Sequence, residues 1–182
     1  MNRITQCVHG RGTVSAVMKH REGSPGEVPS RFLAFSGMEK PVVFWNLTNL
    51  CNLHCEHCYS RSGPTSQPGG ELTTSEAIAL IDDLAAMGVP LILFSGGEPL
   101  MRKDLWTLAS HARKKGIKTA LSTNGTLITG NIARQIRESG IEYAGISLDG
   151  ARAVTHDRFR NSPGAFERTV ASFSHCREAN VR

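Results

Sequence analysis

The stretch Pro90–Pro99, PLILFSGGEP, decides the fold. Leu91 to Phe94 form a short, continuous apolar run, the pattern of a strand shielded on both faces. It breaks at Gly96-Gly97, where the chain needs a turn that tolerates close backbone approach. Upstream, ELTTSEAIALIDDLAAMG (71–88) reads as a helix. Thr73 and Glu76 have capping-box spacing, Ile78, Ile81 and Leu84 recur at helical period, and Gly88 sits where a helix stops. Downstream, DLWTLASHARKKG reads as a second helix, with Asp104 as N-cap and Gly116 as stop.

The same unit recurs to either side. VVFWNL is an earlier strand, IKTALSTNG a later one, and IEYAGISLDG another. Asn131–Ser139 with Gly140 reads as a third helix. AFERTVASFSHCREA reads as a fourth, with Phe166, Val170 and Phe173 on one face. Strands alternating with helices of this length imply parallel βαβ units. With about four such units the fold is α/β, an incomplete barrel or a small open sheet, and it reads as cut off before a fifth strand. Residues 1–40, rich in Gly, Pro and Ser around REGSPGEVPS, read as a weakly ordered leader ahead of a domain at 41–182.

The chain has 182 residues, 40% hydrophobic and 20% charged, which places it among globular proteins with one real core. A formal charge of +5 suits an anionic ligand. The basic residues are scattered, and the densest group (Arg113, Lys114, Lys115, Lys118) falls where a helix end attracts cations, so nucleic acid is not expected as a partner. No apolar run reaches the roughly 20 residues of a membrane span, and no signal peptide opens the chain. The expected location is the cytoplasm, away from membranes, where thiols stay reduced.

Each strand ends in polar or glycine-rich sequence: NLTNLC, SGGEP, STNG and SLDG. In parallel α/β folds ligands bind at the carboxyl ends of strands, so four such ends point at one mouth. One of them carries Cys51, Cys55 and Cys58, three of the five cysteines, spaced C-x3-C-x2-C. Three thiolates on one loop can hold a zinc ion if His54 or His57 supplies a fourth ligand. They can equally hold an iron–sulfur cluster with one iron left open to a small molecule. Cys176 reads as a small buried hydrophobe, and Cys7 has no partner pattern.

CNLHCEHCY, with an aromatic residue after the third cysteine, resembles the signature loop of the radical S-adenosylmethionine (SAM) enzymes. SGGEP, STNG and SLDG resemble motifs that this family carries at later strand ends. The resemblance covers residues 41–182 and implies a partial TIM-like (β/α) barrel. It also implies two cofactors, a [4Fe-4S] cluster on Cys51, Cys55 and Cys58, and SAM. Reductive cleavage of SAM at the cluster would yield a 5′-deoxyadenosyl radical. In the same terms Tyr59 would lie near the adenine, and Gly96, Gly97 and Glu98 would meet the methionine amino group. Ser122 and Asn124 would lie near the cofactor, Ser147 and Asp149 near its ribose or carboxylate, and Arg158 or Arg160 would pair with the carboxylate. His54 and His57 read then as bystanders.

The longer run PVVFWNLTNLCNLHCEHCY, with GELTTSEAIALIDDLAAMGVPLILFSGGEPLMR and HDRFR, is similar to the subgroup acting on tetrapyrrole side chains in haem d1 and sirohaem-derived haem biosynthesis. That implies a tetrapyrrole substrate and an electron donor such as flavodoxin or ferredoxin. Two alternatives remain: a peptide-modifying radical SAM maturase, and a non-catalytic metal-binding fragment. Members of the tetrapyrrole subgroup carry a cysteine-rich C-terminal extension for an auxiliary cluster. Nothing of that kind follows Cys176, so the sequence reads as a piece of a longer protein or a truncated form.

Overall fold

A computed structural model describes residues 40–66 and 70–182. The leader read over residues 1–40 lies outside them apart from Lys40, and Cys7 with it. Val42–Arg182 forms one compact unit. Its strands are β1 (Val43–Asn46), β2 (Leu91–Ser95), β3 (Lys118–Thr123) and β4 (Ile141–Ile146). Its helices are α1 (Thr74–Ala86), α2 (Leu105–Lys114), α3 (Gly130–Ser139), α4 (Ala153–Arg160) and α5 (Ala165–Glu178). The strands lie side by side in chain order, all parallel, in an open four-stranded sheet. Past α5 the chain returns to the sheet, where Ala144 N donates to Arg182 O at 2.8 Å. No helix among the described residues is long and apolar enough to cross a membrane.

The core lies between one face of the sheet and the helices. Ile92 and Phe94 from β2, Leu121 from β3 and Ile141 from β4 meet Ile81, Leu105, Leu108 and Ile136 from the helices, all fully buried. Each such side chain contributes roughly 2–3 kcal/mol by leaving water. Leu91 and Leu93 of β2 are buried on the other face as well, as its apolar run predicts, but β1 differs there. Phe44 on β1, whose Cα partner is Leu93, is 68% exposed.

Local chemistry explains most element ends. At α1 Thr73 Oγ1 accepts from Glu76 N while Glu76 Oε2 accepts from Thr73 N, a complete capping box worth about 1 kcal/mol. Gly140 closes α3 with φ +91°. Asp104 departs from its expected role. It stands at the N-cap of α2 but makes no side-chain cap, because Arg102 Nε claims its carboxylate at 2.6 Å and Thr74 Oγ1 donates to it at 2.7 Å. The same guanidinium donates to Leu47 O at 2.7 Å and Leu72 O at 2.8 Å, joining the β1 end to the approach to α1.

One further expectation is corrected. The buried face of α5 is Ala165, Thr169, Ser172 and Cys176, while Val170 and Phe173 are 43% and 45% exposed. Small residues are needed there because α5 runs against the turn after β3: Thr169 Oγ1 donates to Asn124 O at 3.1 Å, and a Cβ on Gly125 would stand 3.0 Å from Ser172 Oγ. Helix α4, which covers HDRFR, has no counterpart in the apolar pattern, since its buried residues are His156 and Arg160.

Candidate functional site

The strand ends meet in an open cleft of about 760 Å³, counting the solvent at its mouth. The loop after β1 brings Cys51, Cys55, Cys58 and Tyr59 to it, and that after β2 brings Gly96 and Gly97. The β3 end supplies Ser122 and Asn124, the β4 end Ser147 and Asp149, and α4 supplies Arg160. Two residues expected in the site stand elsewhere. Arg158 is exposed on another side of α4, as helix geometry requires of residues two apart. Glu98 is wholly buried and does not line the cleft.

The cysteine loop is closed at its base and braced from both sides. Cys51 N donates to Gly63 O at 3.2 Å, and Glu56 N to Phe159 O at 3.1 Å. From β3, Asn124 Nδ2 donates to Asn52 Oδ1 at 2.9 Å, while Thr126 Oγ1 accepts from Asn52 Nδ2. The glycine turn runs beneath this loop. Gly97 N donates to Thr48 O at 2.7 Å and Glu98 N to Leu50 O at 2.9 Å. A Cβ on Gly96 would stand 2.5 Å from Thr48 O, and one on Gly97 2.4 Å from Leu50 O, so backbone meets backbone at both positions. Gly96 also has φ +129°, which side-chain-bearing residues rarely adopt.

Glu98 is the bracket behind the cleft. Thr123 Oγ1 donates to its Oε1 at 2.8 Å, Asn124 N to its Oε2 at 2.9 Å, and Leu100 N to Oε1 at 3.2 Å. Burial pushes its carboxyl up to about 7 from 4.5 against the pull of these donors. Its partner Thr123 also reaches the cleft wall and was not singled out in the sequence. Its position at a strand end beside Ser122 was the available signal.

The three sulfurs have different surroundings. Cys51 accepts from Leu53 N at 3.4 Å and is approached by Asn124 Nδ2 at 3.9 Å, and burial holds its thiol above the ordinary value. Cys58 is desolvated too, but the Ser60 hydroxyl at 3.3 Å and the backbone N–H groups of Ser62, Ser60 and Arg61 outweigh this and hold it below. Cys55 receives Arg160 Nη1 at 3.6 Å. His57, expected to be a bystander, forms part of the cleft wall. Its Nε2 is 3.8 Å from Asp149 Oδ1 and its ring lies edge-on to Phe159 at 5.4 Å. His54 is exposed, with its ring against Gly63.

Behind Asp149, His156 Nδ1 accepts the Asp149 N–H at 3.2 Å, so the imidazole proton resides on Nε2. Burial, and then the nearby Arg160, lower the pKa of this ring. Among the described residues no three His, Cys, Asp or Glu side chains form a ready seat for a single metal ion. Cys51, Cys55 and Cys58 nonetheless all line the same cleft.

A parallel α/β sheet with glycine-lined strand ends and a three-thiol loop defines a class of cofactor-binding half-barrels. The chain belongs to the radical SAM superfamily, whose family model matches residues 45–182. It is 48% identical over 172 residues to the Fe-coproporphyrin III synthase of Methanosarcina barkeri (strain Fusaro / DSM 804), covering 94% of this chain and 43% of that protein. To the pre-heme d1 synthase of Dinoroseobacter shibae (strain DSM 16493 / NCIMB 14021 / DFL 12) it is 45% identical over 146 residues, covering 80% and 36%. To the mycofactocin maturase MftC of Mycobacterium tuberculosis (strain CDC 1551 / Oshkosh) it is 38% identical over 135 residues, covering 74% and 34%. The chain thus spans less than half the length of these relatives. The solved structure described as native anSMEcpe with bound AdoMet superposes with a TM-score of 0.64 at 22% identity, over 78% of this chain and 41% of that one.

Proposed function

We propose that the chain is the cofactor-binding half of a radical SAM enzyme that acts on the side chains of a tetrapyrrole in haem d1 or haem biosynthesis. The observation that carries this is the ring of Cys51, Cys55 and Cys58 around a cleft floored by the Gly96-Gly97 backbone. Those thiols would hold a [4Fe-4S] cluster, and SAM would lie against the strand ends. With both bound, one-electron reductive cleavage of SAM would supply the chemistry for hydrogen-atom abstraction from the substrate.

This chain's residues bind, orient and exclude water. Gly96 and Gly97 let the backbone approach the cofactor's amino end, and Glu98 supports that turn from behind. Ser122, Asn124, Ser147 and Asp149 offer polar groups to the rest of SAM, with Tyr59, 80% exposed, at the adenine end. Two of the relatives are named as tetrapyrrole-pathway synthases, and the net charge of +5 suits a carboxylate-bearing macrocycle. Phe44 stands two residues from Asn46, the Cα partner of the cleft residue Ser95, so it shares that sheet face. It offers open aromatic surface to a flat ligand. A flavodoxin or ferredoxin would supply the electron.

The maturase relative supports a second reading, modification of a peptide. Anaerobic reconstitution with iron and sulfide, reduction, and addition of SAM should release 5′-deoxyadenosine. A Cys55→Ala chain that still does so would sink the assignment. Spectral titration with a sirohaem-type tetrapyrrole against a peptide separates the two readings.

A further inference from the structure

We propose that Arg160 is a charged hydrogen-bond donor to the sulfur of Cys55 that raises the reduction potential of the cluster, and is not the partner of the SAM carboxylate; this rests on the cluster assignment above. The guanidinium faces three protein groups, two through hydrogen bonds and one, at its buried Nε, through charge alone. Its Nη1 donates to Cys55 Sγ at 3.6 Å and its Nη2 to Ser147 O at 3.3 Å. Its Nε stands 2.6 Å from Asp149 Oδ2, an ion-pair contact. The residue is 8% exposed, so solvent screens little of its charge.

Among the described residues the other two sulfurs receive neutral donors: Leu53 N and Asn124 Nδ2 at Cys51, and the Ser60 hydroxyl with the backbone N–H groups of Ser62, Ser60 and Arg61 at Cys58. A cation beside one ligand sulfur stabilises the reduced, more negative cluster more than the oxidised one. Asp149 offsets part of that charge and fixes the planar fork, which a lysine could not reproduce. The same arrangement ties the β4 end, where SAM would lie, to the cysteine loop.

The test is an EPR-monitored redox titration of the reconstituted protein without SAM, together with SAM binding by equilibrium dialysis. In Arg160→Gln the equilibrium constant for one-electron reduction should fall about tenfold, a midpoint about 59 mV more negative. Arg160→Lys should lie between Gln and wild type, and SAM affinity should change less than about threefold. An unchanged midpoint, or a tenfold loss of SAM affinity without a midpoint shift, overturns the proposal. Pulsed EPR of the wild type labelled with guanidino-15N arginine does not depend on a variant folding. A 15N coupling to the reduced cluster is expected, and its absence overturns the proposal. A wild type that takes up iron and sulfide but shows neither effect refutes only this inference. A wild type with no reducible cluster refutes the function as well.

Discussion

Replacing Glu98 with Gln tests the electrostatics behind the cleft. Glu98 is fully buried, and its carboxyl is raised from 4.5 to about 7. Between those values the folded chain binds more protons than the unfolded one, so stability falls as pH rises. At about 1.4 kcal/mol per unit, the whole window is worth about 3 kcal/mol. This contribution is fully present below pH 4.5 and lost as pH passes 7. Gln does not titrate, but its amide must turn a donor toward one of the three existing donors. That adds a penalty of roughly 1–3 kcal/mol that does not vary with pH. The slope of the difference between the two proteins therefore carries the information, not its size at one pH. Urea unfolding at intervals from pH 4.5 to 8 should show wild type losing about 3 kcal/mol relative to Glu98→Gln. A flat difference across that range would refute the reasoning, because it would mean that Thr123, Asn124 and Leu100 keep the carboxylate ionised despite burial.

Other outcomes follow from single contacts. Gly97→Ala forces a Cβ against Leu50 O, which should cost roughly 1–3 kcal/mol and lower the iron retained per chain on reconstitution. Arg102→Met leaves Leu47 O and Leu72 O without their donor and Asp104 without its cation, a loss of about 3 kcal/mol or more by thermal or urea unfolding. Cys55→Ala should abolish cluster absorbance near 400 nm (on the order of a tenth of wild type or less), whereas Cys176→Ala, altering a residue on the buried face of α5, should leave it intact while lowering stability by about 1 kcal/mol.

The strands and their polar ends were legible because each signal is local. An apolar run followed by glycine needs no knowledge of the rest of the chain. Helix α4 was invisible for the same reason. Its inward residues are His156 and Arg160, while Val154 is 72% exposed, so apolar periodicity points the wrong way. The bias toward large side chains also misplaced the buried face of α5, where close approach to the β3 turn selects Thr169 and Ser172. Glu98 lies within the right motif, yet its partners Thr123 and Asn124 come from another strand end, a pairing no local pattern contains. His57 likewise acquires neighbours from distant chain, Asp149 at the β4 end and Phe159 on α4.

The bond from Asn124 to Asn52 joins residues 72 apart in the chain. At the roughly 5–20 residues per second of synthesis, the cysteine loop leaves the ribosome roughly 4–14 s before its brace exists. The three thiols are thus presented on a loop closed at its base but not yet tied to β3 while the sheet grows strand by strand in chain order. Metal insertion during that interval would meet a compliant loop, and insertion afterwards would meet one pinned by β3 and α4.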